Sequence, residues 1–315
     1  MISDTLLINV SNPLHQKFNQ SNSQIQNTIK MLLSKLSTDL SLIWPSSQSL
    51  NIEEKMNLEL SLLKLHEHEN FEEVLFWGKV RGIMKDYYIA LALKYRGSSE
   101  FPTKRFFWCT SQNYNFAELS VLSSEDQEFV ERFNMNFSGE HDRILVEAAE
   151  PSAYEDDDSV VPSDNEKLPT KNFTELDRLS YVVRNIEHDC QVVPIGSFRM
   201  NSGNELVRNK AFEGLTMSAL KDLKNFGHFR RVEQQDKKDL IDRGDALYNL
   251  EFLDPADKDL PKGAWSLFVD PSGTLACLRS VLWPGYFAYH RASSEHFGGV
   301  YFGDGIKHSD LPFMI

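Results

Sequence analysis

His66, Glu67, His68 and Glu69 form one unbroken run of metal-ligating side chains, so the first chemistry to test is a bound cation. Residues two apart on a helix point in divergent directions, and His66 with His68 can share an ion only where the helix has already ended. No further histidine stands close by in sequence to complete a tetrahedron. The run reads as a solvated helix end, and no metal is expected. The acidic run Asp156-Asp157-Asp158 lacks the alternating ligands, central glycine and terminal glutamate of a calcium loop. Cys277 sits among apolar neighbours, where a thiol resists ionisation and makes a poor nucleophile. Nucleotide-binding glycine loops, a GxSxG elbow, HExxH and CxxC are all missing, and Gly303-Asp304-Gly305 reads as a turn. An enzyme written in no familiar motif would draw its pocket from Arg279, His290 and Asp304, and a cleft in which the three converge is its test. No cofactor is expected.

Aromatic side chains stand out instead. Trp265, Trp283, Tyr286, Phe287, Tyr289, Phe297, Tyr301, Phe302 and Phe313 crowd the C-terminal stretch. Either these rings are the core of a small sheet, or one face of that sheet docks on another protein, for which Tyr and Trp are favoured anchors. On the docking reading the interface residues are Trp283, Tyr286 and Tyr289, joined by Trp77 and Tyr88, with Pro284-Gly285 shaping the turn that presents them.

The elements that must carry these residues are legible from periodicity. Ile25, Ile29, Leu32, Leu33, Leu36 and Leu40 form a helical stripe that ends at Trp44-Pro45. Asn51 caps a second helix running through Met56, Leu58, Leu62 and Leu65, apolar on several sides and so covered by something. The text then changes to a hairpin, Val74 to Ile83 and Tyr87 to Tyr95. In its second strand Tyr87, Ile89, Leu91 and Leu93 share one face, and Tyr88, Ala90 and Ala92 the other. Arg105 to Thr110 adds a strand, Ser124 to Phe133 a short helix, and Thr174 to Glu187 a longer one. Cys190 to Phe198 reads as a strand, and Met217, Leu220 and Leu223 as a helix ending near Gly227. A meander follows: Trp265 to Val269, the turn Asp270-Pro271-Ser272-Gly273, Thr274 to Trp283, Tyr286 to Tyr289 and Val300 to Phe302. The expected fold is α+β, with N-terminal helices, antiparallel hairpins and a C-terminal antiparallel meander. Its parts are a helical region (1–70), a hairpin segment (71–139), an acidic linker or surface loop (140–171) and a C-terminal α+β segment (172–315).

Of the formal net charge of -13, nine negative charges fall between Glu140 and Asp177, where twelve acidic residues meet three basic ones. Such a balance repels phosphate backbones and acidic lipid, so neither nucleic acid nor membrane is an expected partner. No stretch is long and apolar enough to span a bilayer, the N-terminus does not read as a secretory signal, and three widely spaced cysteines suit reduced, buried thiols in the cytoplasm.

Three separated anchors carry a resemblance: Pro261-Lys262-Gly263-Ala264-Trp265-Ser266, Leu278-Arg279-Ser280-Val281-Leu282-Trp283-Pro284-Gly285, and Asp310-Leu311-Pro312-Phe313-Met314-Ile315. With Val74 to Val80, Asp86 to Ala90, Phe212 to Leu215 and His228-Phe229-Arg230, they resemble the radial spoke head 4/6/9 family of motile cilia. The resemblance implies a non-catalytic subunit of the axonemal radial spoke head in the cilium or flagellum. Its implied partners are 4/6-type paralogues and further head subunits, and central-pair projections indirectly. Its implied role is in head assembly and in relaying mechanical signals between the central pair and the dyneins. The alternatives are a soluble adaptor that binds a basic partner through the acidic segment, and the unrecognised enzyme.

Overall fold

The computed structural model describes residues 36–68, 71–95, 100–146 and 171–314. The stripe expected from Ile25 to Leu40 lies mostly outside these residues, and residues 36–42 are helical. Helix α1 (Ile52–His68) follows. Its cap is reciprocal: Glu54 N donates to Asn51 Oδ1 at 2.7 Å, and Asn51 N donates to the Glu54 carboxylate at 2.8 Å. Strands β1 (Glu73–Val80), β2 (Tyr87–Lys94), β3 (Thr103–Thr110) and the short β4 (Ala117–Glu118) come next, then α2 (Ser124–Glu131), capped by Ser123. A small pair, β5 (Ile144–Val146) with β6 (Phe173–Thr174), leads into α3 (Glu175–Cys190), which opens on a capping box between Thr174 and Asp177.

Beyond α3 two expectations are corrected. The strand expected from Cys190 to Phe198 is two short ones, β7 (Val192–Pro194) and β8 (Phe198–Met200), because Pro194 has no N–H and Gly196 turns the chain at φ +89°. Strand β8 pairs with β9 (Leu206–Arg208). The helix expected through Met217, Leu220 and Leu223 is a pair of 3-10 turns, Ala219–Lys221 and Leu223–Asn225, because Asp222 between them is extended and accepts the Lys224 N–H. The chain then enters β10 (Phe226–His228), which pairs with β7. Helix α4 (Gln235–Asp242) precedes the meander: β11 (Trp265–Val269), β12 (Leu275–Ser280), β13 (Tyr286–Arg291) and β14 (Phe297–Gly303).

The fold is α+β, as periodicity indicates, but the two sets of strands belong to one sheet. Its order is β11-β12-β13-β14-β1-β2-β3-β4. Every neighbouring pair is antiparallel except β14 with β1, a parallel seam that sets Gly78 opposite Tyr301. One side of the sheet packs Trp77, Ile89, Leu91, Phe106, Leu278 and Tyr301 against Leu179, Val183 and Ile186 of α3 and against Phe226, Phe229 and Phe252. The other packs Phe76, Ala90, Phe107, Cys277, Phe287 and Phe302 against Leu36, Ile43 and Leu50 and against Leu58, Leu62 and Leu65 of α1. A central sheet covered on both faces explains why both sides of β2 are apolar, and each fully buried Leu or Phe contributes roughly 1.5–3 kcal/mol.

Candidate functional site

The five rings expected to present an interface lie inside the molecule: Trp77, Tyr88, Trp283, Tyr286 and Tyr289 are none more than 4% exposed. That burial moves the docking role away from them, and their polar atoms show what they do instead. Trp77 Nε1 donates to Glu187 Oε2 (2.8 Å) and Trp283 Nε1 to Asp189 Oδ2 (2.9 Å), while Tyr286 Oη donates to Gln191 Oε1 (2.8 Å). On the opposite face Tyr88 Oη donates to Glu54 Oε1 of α1 (2.7 Å), and Tyr289 Oη donates to the Asp39 carboxylate. Each ring thus fills the core with its body and fastens a covering layer to the sheet with its single donor. A further bolt of this kind was not read from sequence. Tyr87 Oη donates to Glu175 Oε1 (2.8 Å), and the same buried carboxylate accepts Ser138 N, Ser138 Oγ and Gly139 N. Burial and these carboxylate partners push the Tyr87 and Tyr88 hydroxyls up, so the rings stay neutral donors.

Three of the stretches that carry the resemblance, His228 to Arg230, Pro261 to Ser266 and Leu278 to Gly285, meet at one cleft of about 390 Å³, lined by His228 and Arg230, by Ala264 and Trp265, and by Ser280 and Leu282. Its wall is a chain of paired charges. His228 Nε2 lies 2.8 and 2.9 Å from the two Asp259 oxygens, and Trp265 Nε1 donates to the same carboxylate at 2.7 Å. Arg230 and His188 both meet Glu233, at 2.8 and 3.1 Å. Burial alone would raise the Asp189 carboxyl, but hydrogen bonds from His188 and Trp283 and the charge of Lys307 outweigh it and hold it at about 2. Cationic and acidic groups alternate here. A second cleft, of about 560 Å³, runs between Trp108 and Thr110 on β3 and the His141–Arg143 loop. The Cys109 thiol in its wall is pushed up to about 12 by burial, which makes it inert.

The trio offered for an enzyme does not converge. Arg279 lies over the Phe287 ring and donates to the Pro45 carbonyl on the α1 side of the sheet. His290 is buried on the α3 side, and Asp304 pairs with Arg81 at 2.9 Å on the surface. His66 and His68 both fall within α1, so their side chains diverge, while Glu69 lies outside the described residues. Among the described residues no group of three His, Cys, Asp or Glu side chains could hold a metal ion, and no helix is long and apolar enough to cross a membrane. The run Asp156 to Asp158 also lies outside the described residues.

Outward surfaces are apolar in places. Ile52, Met56 and Leu60, spaced four apart on α1, are 80%, 60% and 57% exposed, on the side of the helix turned away from Leu58, Leu62 and Leu65.

Comparison with known proteins adds a consistent picture. A family model for radial spokehead-like proteins matches residues 6–179. The chain is 31% identical over 281 residues to the radial spoke head protein 9 homolog of Homo sapiens, covering 86% of this chain and 95% of that protein. It is 30% identical over 277 residues to the homolog of Danio rerio, covering 85% and 94%, and 29% identical over 285 residues to that of Xenopus tropicalis, covering 89% and 98%.

Proposed function

The chain belongs to the radial spokehead-like protein family, and from that premise we propose that it is a structural, non-catalytic subunit of the radial spoke head in the axoneme of motile cilia. One observation carries this reading: the likeness to radial spoke head proteins runs through nearly the whole of both chains, so it is not a borrowed module. A central sheet bolted to a covering layer on each face supports it, since a part that transmits force must not shear between its layers. In this role the subunit helps the head assemble beside 4/6-type paralogues and takes part in passing mechanical input from the central pair towards the dyneins. Contacts with neighbours fall to outward groups, among them the α1 stripe of Ile52, Met56 and Leu60 and the charged cleft around His228 and Trp265.

The test is capture of the tagged full chain's neighbours from salt-stripped, detergent-extracted axonemes, with bound proteins identified by mass spectrometry. Other spoke head proteins recovered in fixed ratio are the expected result. A chain that runs alone in the soluble fraction and is missing from axonemes would end the proposal.

A further inference from the structure

The two edges of the eight-stranded sheet are treated differently. At one end β4 is two residues long, and its Glu118 is held by Arg105 at 2.7 Å, a short and charged edge of the kind that resists further pairing. At the other end β11 is Trp265-Ser266-Leu267-Phe268-Val269, five residues with no charge, no proline and no register shift against β12. The phase of its ladder is fixed from both sides: Val281 N donates to the Ala264 carbonyl (2.8 Å) and Asp270 N to the Leu275 carbonyl (2.9 Å). Bonds to β12 therefore fall at alternate positions through Ser266 and Phe268, and the peptide groups of Trp265, Leu267 and Val269 face away from the sheet. No described residue pairs with them.

We propose that this edge pairs with the β11 edge of a second copy of the chain, antiparallel and with Leu267 on the two-fold axis. The outward groups are centred on Leu267, so a copy turned by a half rotation sets Leu267 against Leu267 and Trp265 against Val269, each exchanging both of its free hydrogen bonds. The three side chains are half-buried on one face, and the same three from the copy continue that layer. Exposed apolar residues also sit at the two ends of the edge. Leu260, 80% exposed, lines the cleft beside Trp265, and Met217, 53% exposed, lies beside Gly273 at the β11–β12 turn. The half rotation carries each end of one edge to the opposite end of the other. Self-pairing rests on backbone geometry and does not depend on the spoke head reading.

Sedimentation velocity of the purified full chain, from nanomolar to high micromolar concentration, reads the association directly. Hydrogen exchange over Trp265 to Val269 at the two extremes locates it without any variant. A concentration-dependent dimer, with the Trp265, Leu267 and Val269 amides protected only in the dimer, is expected. Leu267→Lys and Leu267→Glu each set like charges across the axis, so each alone is expected to remain monomeric, whereas a mixture of the two regains the dimer. A chain that stays monomeric throughout overturns the proposal, as does a dimer whose β11 amides exchange at the monomer's rate. A mixture that stays monomeric removes Leu267 from the axis and overturns the register.

Discussion

His290 illustrates how one buried side chain can set the pH response of the fold. It is wholly buried on the α3 side of the sheet, between the rings of Phe212 and Phe297. The Leu215 N–H donates to its Nε2 at 3.0 Å, which leaves the proton on Nδ1, donated to the His296 carbonyl at 3.1 Å. Both nitrogens are thus satisfied by the neutral ring. Burial holds the imidazole down at about 4 against an ordinary 6.5, with the His296 carbonyl pulling weakly the other way. Because the folded value lies below the unfolded one, the unfolded chain binds the proton more readily between the two. The contribution is therefore complete above 6.5 and lost as pH falls towards 4, to a ceiling of about 3 kcal/mol. Urea melts of wild type and His290→Gln across this interval measure it: the variant should lose most of that slope, and an unchanged slope would remove His290 as its source. Asp189, at about 2, acts only in stronger acid, so the two effects separate. The density of rings in the chain was legible in composition. Their carboxylate and amide partners were not, because Glu187, Asp189 and Gln191 look in sequence like any solvated end of an amphipathic helix.

Among the elements, the seam between β1 and β14 joins the N-terminal strands to the meander, and it turns on Gly78. The register against β2 shifts between Phe76 and Gly78, so Trp77 is the extra residue of a bulge that aims its ring at α3. A Cβ added at Gly78 would stand 2.3 Å from the Tyr301 carbonyl oxygen and 2.8 Å from its nitrogen, inside backbone that has no room to yield. Gly78→Ala should therefore destabilise the fold by about 3 kcal/mol. Gly244→Ala, where nothing lies within 4 Å and only the positive φ opposes a side chain, should cost about 1 kcal/mol. Thermal melts of the two variants side by side make the comparison, and equal losses would mean that the seam tolerates separation. The hairpin and the meander were readable because alternation is local and a buried strand keeps it on both faces. The seam was not, since Gly78 and Tyr301 lie far apart in sequence and parallel pairing leaves no turn signal to announce it. The failed helix near Leu220 has a similar cause: its apolar spacing is real, but Asp222 diverts the backbone by capping.

At the scale of the whole molecule, the acidic segment decides between a subunit held by its folded body and an adaptor held by its charge. Residues 147–170 lie outside the described structure, yet both of their ends are fixed to it. Ile144 pairs with Thr174 and Val146 with Phe173, and the Glu175 N–H donates to the Arg143 carbonyl at 2.8 Å, so the segment leaves and returns at one place. Deleting Glu150 to Pro169 leaves six residues, Glu147, Ala148, Ala149, Thr170, Lys171 and Asn172, to close the β5–β6 pair, an ordinary length for a connection between elements. Shortening the loop lowers its closure entropy by up to about 1.5 kcal/mol, so the melting midpoint should hold or rise by a few degrees. The deletion removes seven acidic residues and one lysine, and the formal charge moves from -13 to -13 + 7 − 1 = -7. If assembly depends on the folded body, the shortened chain should capture the same spoke head proteins from stripped axonemes as the full chain does. Capture lost by a deletion variant that still melts like wild type would transfer the binding role to the acidic segment and make the adaptor the better account.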